Sequence, residues 1–201
     1  MNTSNVFLLL NGEKPTKLPV TSKYEVICAT DGAYEYLKEN QIQPHFISGD
    51  FDSLTFFPEG IETVSTPDQN FTDFDKILQI LWDREHKNIH VYGASGKEQD
   101  HFLGNLHSAL QWQKKLNITF FDDYGQYFFG NKEIHLSNCL KKTISLLPFP
   151  TATNITTQGL LYPLQNETLT FGTKIGTRNK AIKKEVDISF ETGELLIFIQ
   201  Y

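Results

Sequence analysis

The sequence predicts an α/β N-terminal domain, a mostly parallel sheet flanked by helices, followed by an all-β C-terminal domain with a sandwich or barrel-like build. Two observations carry this. Over residues 1–123, short apolar runs alternate with segments of helical periodicity, as strands joined by helical crossovers do. Over residues 124–201 the helical periodicity stops and short strand-like runs follow one another. At 201 residues the chain can bury a real core as one large domain or two small ones.

Taken in order, residues 6–10 read as a buried first strand closed by Asn11-Gly12, with Pro15 and Pro19 in the loop beyond. Residues 24–29 form a second strand, and Thr30-Asp31-Gly32 opens a short helix over 33–40. Pro44 precedes a third strand, 45–48, which delivers the acidic segment Gly49-Asp50-Phe51-Asp52-Ser53. A fourth strand covers 61–65. Thr72 then caps a helix with Asp75 three residues on, a capping-box pattern, and Phe74, Ile77, Leu78 and Leu81 make one apolar face. Residues 88–92 form a fifth strand. Asp100 is expected to cap a helix whose apolar positions are Phe102, Leu103, Leu106 and Leu110, and 118–121 gives a sixth strand. In the second half, strands are expected at 127–129, 143–147, 168–171, 186–190 and 195–199, the last two joined as a hairpin through Glu191-Thr192-Gly193-Glu194.

Net charge is −6, which argues against nucleic-acid binding, since that relies on a positive surface to displace counterions. No run near the N-terminus is long enough for a signal h-region or a membrane span, so no membrane partner and a cytoplasmic location are expected. The two cysteines, Cys28 and Cys139, read as buried thiols in a reducing compartment. The six histidines show no zinc spacing.

Chemistry points to one place. Asp31, Asp50, Asp52, Asp73 and Asp100 each follow a predicted strand or open the next helix, the positions that line the crevice of an open parallel sheet. Carboxylates gathered there suit a hard cation such as Mg²⁺, which also engages substrate phosphates. Helix N-termini at the same edge favour anions. Lys76 lies three residues after Asp73 and can meet that carboxylate or a phosphate. The loop Gly93-Ala94-Ser95-Gly96-Lys97 joins strand to helix and offers backbone N–H groups, yet it is no Walker A. Only two residues part its glycines, and Glu98 follows the lysine.

The run Asp31-Gly32-Ala33, the acidic segment Gly49-Asp50-Phe51-Asp52-Ser53 and the block Asp68-Gln69-Asn70-Phe71-Thr72-Asp73-Phe74-Asp75-Lys76 resemble thiamin pyrophosphokinase. So do Gly93-Ala94-Ser95-Gly96 with Asp100-His101-Phe102-Leu103-Gly104-Asn105, and, in the second half, Thr157-Gln158-Gly159-Leu160-Leu161-Tyr162 and Phe171-Gly172-Thr173. The resemblance spans nearly the whole chain in order. It implies Mg²⁺-dependent transfer of pyrophosphate from ATP to the hydroxyl of thiamin, with release of AMP. Asp50, Asp52 and Asp73 would hold the metal and act as the catalytic acids. Asp31, Gln69, Thr72, Lys76, Gly93, Gly96, Asp100 and His101 would bind ATP, and Tyr162, Thr177, Arg178 and Asn179 thiamin. It further implies a homodimer whose active site is shared between subunits. Residues 1–123 would then be the ATP and Mg²⁺ domain and 124–201 the thiamin-binding domain.

Two positions depart from the family pattern. Glu98 stands where an Arg is usual, with Lys97 beside it, and Arg178 precedes Asn179 where Ser is usual. Two other readings stay open at this point: an aspartate-nucleophile phosphohydrolase using Asp50, and a nucleotide- and thiamin-binding module without turnover.

Overall fold

The computed structural model describes residues 5–52 and 58–201; Ser53, the last residue of the acidic segment, lies outside them. The chain divides into two compact units, Met1–Asp123 and Tyr124–Tyr201.

The first unit carries six strands: β1 (Asn5–Leu9), β2 (Val26–Thr30), β3 (Phe46–Gly49), β4 (Glu62–Ser65), β5 (Asn88–Tyr92) and β6 (Asn117–Phe121). Its helices are α1 (Tyr34–Glu39), α2 (Asp73–Asp83) and α3 (Gln99–Trp112). The strands lie in the order β4-β3-β2-β1-β5-β6, and every pairing is parallel. The chain therefore starts at the middle of the sheet, builds outward on one side, and crosses back over β1 to build the other. The switch point falls between β1 and β5, and the crevice beyond the carboxyl ends of such strands is where open α/β sheets bind ligands.

Alternation along the strands divides the core. Phe7 and Leu9 join Ile27, Ala29, Ile47, Ala33 and Leu37 in one cluster. Helix α2 buries Phe74, Ile77, Leu78 and Leu81 at the spacing its sequence shows, with the Phe74 ring 5.9 Å from that of Phe120 in β6. Each such side chain contributes about 1.5–3 kcal/mol of transfer free energy.

Helix α3 differs from expectation. Leu103 is 61% exposed, and the buried positions are Leu106, Ser108 and Ala109. Small residues on this face let the helix sit close to its neighbours, so the contact is made without a leucine stripe. Its N-cap is Glu98, whose side chain makes no capping bond; Asp100 lies inside the first turn. Thr72 does cap α2, accepting the Asp75 N–H at 3.1 Å. The expected capping box is altered, because the Asp75 carboxylate accepts the Thr72 hydroxyl at 2.9 Å.

The second unit is built from antiparallel pairs. Its strands are β7 (Gly125–Phe129), β8 (Glu133–Leu136), β9 (Thr143–Gln158), β10 (Glu167–Thr170), β11 (Gly176–Lys180), β12 (Val186–Ser189) and β13 (Thr192–Gln200). The organising element is β9, whose 16 residues pair in turn with β10, β11, β12 and β13. The hairpin expected through Glu191–Glu194 does not form: β12 pairs β8 and β9, β13 pairs β7 and β9, and β9 runs between them. Around β9, Ile144, Leu146, Ile155, Leu169, Val186, Ile188, Leu195 and Ile197 make the core. Among the described residues no helix is long and apolar enough to cross a membrane.

Candidate active site

Beyond the carboxyl ends of the parallel strands lies a cleft of about 600 Å³. The loop after β1 gives it Asn11 and Gly12, and the turn after β2 gives Asp31 and Gly32. The end of β3 adds Asp50, the segment entering α2 adds Gln69, Phe71, Thr72, Asp73 and Lys76, and the β5–α3 connection adds Gly93, Gly96, Lys97, Glu98, Asp100, His101 and Asn105. All of the expected ATP contacts thus share one cleft. Asp50 and Asp73 line it with them, and Asp52 does not.

Asp31 is the buried acid of the set, 7% exposed. Its Oδ1 accepts the Gly32 N–H at 2.7 Å and its Oδ2 the Phe51 N–H at 2.9 Å. Phe51 has φ +64°, an uncommon left-handed backbone for a bulky residue, and the Asp31 carboxylate pins it there. Burial pushes the Asp31 carboxyl above the usual carboxylate range; the two N–H donors oppose this, and the charges of Asp73 and Asp50 add to it. Asp31 therefore braces the loop that carries Asp50 and Asp52.

Asp50 is exposed. Its Oδ1 accepts the Asp52 N–H at 3.2 Å, an Asx turn, and its Oδ2 accepts from Gln69 Nε2 at 3.2 Å. The Asp52 N–H first, then Gln69, hold its carboxyl below the usual range, so it is ionised and anchored. Asp73 pairs with Lys76, Oδ1 to Nζ at 2.8 Å. The Lys76 side chain is only 9% exposed, and its ammonium also donates to the carbonyls of Thr66 at 2.8 Å and Asp68 at 3.3 Å. With three donors on three oxygens, Lys76 fixes the α2 N-terminus to the preceding loop.

Residues that the acidic pattern did not single out complete the frame. Asn105 Nδ2 donates to the Ala94 carbonyl at 2.8 Å, tying α3 to the loop after β5. Gly12 N donates to Gly93 O at 2.7 Å and Glu13 N to Ser95 O at 2.8 Å, so the loops after β1 and β5 run together. At Gly93, φ is +67° and a Cβ would meet Leu10 O at 2.4 Å, so only glycine fits. His101 Nε2 stands 3.7 Å from Glu98 Oε2, with both side chains exposed.

The expected thiamin residues gather in the second unit. Asn179 grips the backbone of Tyr162 at both groups: its Oδ1 accepts the Tyr162 N–H at 3.1 Å and its Nδ2 donates to the Tyr162 carbonyl at 2.7 Å. The tyrosine, 69% exposed, is thereby held by its main chain. Thr177 and Arg178 sit where the register of β11 shifts against β9. Arg178 has φ +57° and donates its N–H to Ser145 Oγ at 2.9 Å. Ser145 gave no signal in the sequence beyond its place in a strand.

The cleft's donors suit a hard divalent cation, since Asp50 and Asp73 both line it and such ions are held by one or two carboxylates plus substrate phosphates. Among the described residues no three His, Cys, Asp or Glu groups form a ready-made cage.

Comparison with known proteins decides the family. Residues 19–120, just over half of the chain, match the family model "Thiamin pyrophosphokinase, catalytic domain", and residues 131–195 match "Thiamin pyrophosphokinase, vitamin B1 binding domain". The chain belongs to the thiamin pyrophosphokinase family. It is similar to thiamin pyrophosphokinase 1 of Caenorhabditis elegans, 29% identical over 218 residues covering 97% of this chain and 88% of the relative. Thiamine pyrophosphokinase of Bacillus subtilis is 26% identical, with 88% of each chain covered. The crystal structure of a thiamin pyrophosphokinase family protein from Enterococcus faecalis superposes with a TM-score of 0.87 at 23% identity, covering 98% of this chain and 99% of that one. The fold is that of the thiamin pyrophosphokinases.

Proposed function

We propose that the cleft of the first unit is where this chain transfers pyrophosphate from ATP to the hydroxyl of thiamin, giving thiamin diphosphate and AMP. Membership of the thiamin pyrophosphokinase family gives the reaction. The observation that supports this location is the convergence of Asp31, Asp50, Asp73 and Asp100 on one cleft at the switch point of a parallel sheet. A phosphohydrolase with Asp50 as nucleophile is not favoured, because the family models matched along the chain are both those of thiamin pyrophosphokinase.

In this reading Asp50 and Asp73 hold Mg²⁺, with Asp52 joining them as the third carboxylate. The bound ion would neutralise triphosphate charge and orient the β-phosphorus toward the thiamin hydroxyl. The chain's own residues supply position. Asp31 sets the loop bearing Asp50, Gln69 holds Asp50 Oδ2, and Lys76 holds Asp73 at the start of α2. Thr72, Gly93, Gly96, Asp100 and His101 complete the nucleotide site. Phosphoryl transfer depends on placement and charge compensation more than on covalent help from the protein, and this arrangement serves both.

The second unit, read as a β-sandwich around β9, would take thiamin against Tyr162, whose exposed ring suits a flat cationic heterocycle. Thr177, Arg178 and Asn179 would shape that pocket. The working unit is taken to be a cytoplasmic homodimer, with Tyr162 of one copy serving the acidic cleft of the other. Mixing Tyr162→Ala subunits with Asp73→Asn subunits tests this. Partial recovery of activity after subunit exchange is expected, and no recovery would argue against a shared site.

A further inference from the structure

At the switch point between β1 and β5 the cleft is lined by Lys97, and Lys14 stands behind it on the same asparagine; neither has a role in the account above. Lys97 Nζ donates to the Asn11 carbonyl at 2.8 Å and to Asn11 Oδ1 at 3.3 Å. Lys14 Nζ donates to the Leu10 carbonyl at 2.8 Å and to the same Asn11 Oδ1 at 3.3 Å. One amide oxygen thus serves two ammonium groups. Among the described residues, Lys38, Lys76, Arg84 and Lys174 each pair with a carboxylate, whereas neither Lys14 nor Lys97 does. Two cations that share one amide oxygen repel each other, and an anion reaching Lys97 from the cleft would offset that repulsion.

The backbone supports the same reading. Lys97 has φ +54° and follows Gly96 at φ +74°, so a long side chain sits in a left-handed conformation that non-glycine residues rarely adopt. The bonds from Gly12 to Gly93 and from Glu13 to Ser95 hold that loop in place. Its effect is to bring the Lys97 ammonium to the end of β1, while the neighbouring Glu98 carboxylate approaches His101. The mutual repulsion is also legible in Lys14, whose ammonium is lowered to about 8, by burial first and then by the charge of Lys97.

We infer that Lys97 and Lys14 form an anion subsite for one phosphate of the triphosphate, with Lys97 in contact and Lys14 as the supporting charge behind Asn11. This rests on the reading of the cleft as the triphosphate site, and it gives the chain a cation where Glu98 supplies none. The test uses the full chain and two probes, inorganic tripolyphosphate and the Mg²⁺ complex of α,β-methylene-ATP, with binding measured by calorimetry. Lys97→Gln should weaken both about tenfold or more, the loss of one charge-assisted hydrogen bond, and raise the KM for ATP alike. The KM for thiamin and the Tm should stay unchanged, and Lys97→Arg should keep most of the affinity. Lys14→Gln should act in the same direction with a smaller effect, and Lys14→Arg should restore it. Wild-type affinity for both probes in Lys97→Gln would overturn the inference. So would equal losses of ATP and thiamin together with a lowered Tm, the mark of a purely structural role. If the wild-type chain formed no AMP while tripolyphosphate binding still depended on Lys97, the anion subsite would stand and the location of the reaction would fall.

Discussion

The carboxylate of Asp31 fills the volume that a side chain at position 49 would need: a Cβ on Gly49 would lie 2.2 Å from Asp31 Cγ. The ends of the neighbouring strands β2 and β3 thus interlock through one acid and one absent side chain. Neither can change alone. Gly49→Ala must displace a carboxylate held by two backbone N–H groups, and is expected to cost about 1–3 kcal/mol of stability, as overpacking does. Activity should fall with it, because Phe51 and hence Asp50 lose their anchor. Chemical denaturation alongside kcat measures both, and a wild-type result for each would remove Asp31 from its bracing role.

Asp50 and Asp73 should separate when neutralised. Both Asp50→Asn and Asp73→Asn are expected to lower kcat by about two orders of magnitude or more. Among the described residues Asp50 has no salt-bridge partner, and its exposed carboxylate is held by the Asp52 N–H and Gln69 alone, so Asp50→Asn should leave Tm unchanged or slightly lowered. Asp73 pairs with the largely buried Lys76, so Asp73→Asn should lower stability by about 1 kcal/mol or more. Thermal melts of the two purified variants check the contrast.

Asn179 is expected to act on thiamin through Tyr162. Tyr162→Ala should weaken thiamin binding by about 1–3 kcal/mol through the lost ring face. Asn179→Ala removes both bonds to the Tyr162 backbone and should raise the KM for thiamin while leaving that for ATP alone. Equal effects on the two substrates would contradict the assignment.

His135 offers a pH test away from the cleft. Its Nδ1 lies 2.7 Å from Asp187 Oδ1 and its Nε2 3.0 Å from Glu185 Oε2. The hydrogen bond with Asp187, more than any other cause, raises its pKa. A raised histidine contributes stability that is complete below its unfolded value, near 6.5, and is lost as pH rises through the folded one. The stability difference between wild type and His135→Asn should therefore be present at about pH 5.5 and vanish at about pH 9. A difference that grew with pH would reverse the assignment.

Much of this was legible in residue order. The 3.6-residue spacing of Phe74, Ile77, Leu78 and Leu81 marked α2 because that helix covers apolar neighbours along its length. The acids were legible as a group because parallel strands deliver all their carboxyl ends to one edge. What failed depended on partners far along the chain. Strand β9 was read as ending before Pro148, yet it continues to Gln158. Proline is tolerated there because Pro148 faces Leu195 where the register of β13 shifts. The alternation of 186–190 and 195–199 suggested a hairpin, but alternation says which face is buried and not which strand is the neighbour. Lys76 could have met a phosphate or a carboxylate, and burial gave it Asp73 and two carbonyls. Asn11 looked like a turn residue because nothing local shows that β1 and β5 are adjacent.

The central claim is that the cleft directs attack to the middle phosphorus of ATP. Product analysis tests it most directly. The purified chain is incubated with ATP, Mg²⁺ and thiamin, in parallel with Asp50→Asn, and the nucleotides and thiamin phosphates are separated and quantified. AMP and thiamin diphosphate should appear in equal amounts, with neither formed in EDTA and both nearly abolished in Asp50→Asn. ADP with thiamin monophosphate, or free phosphate released without thiamin, would contradict it.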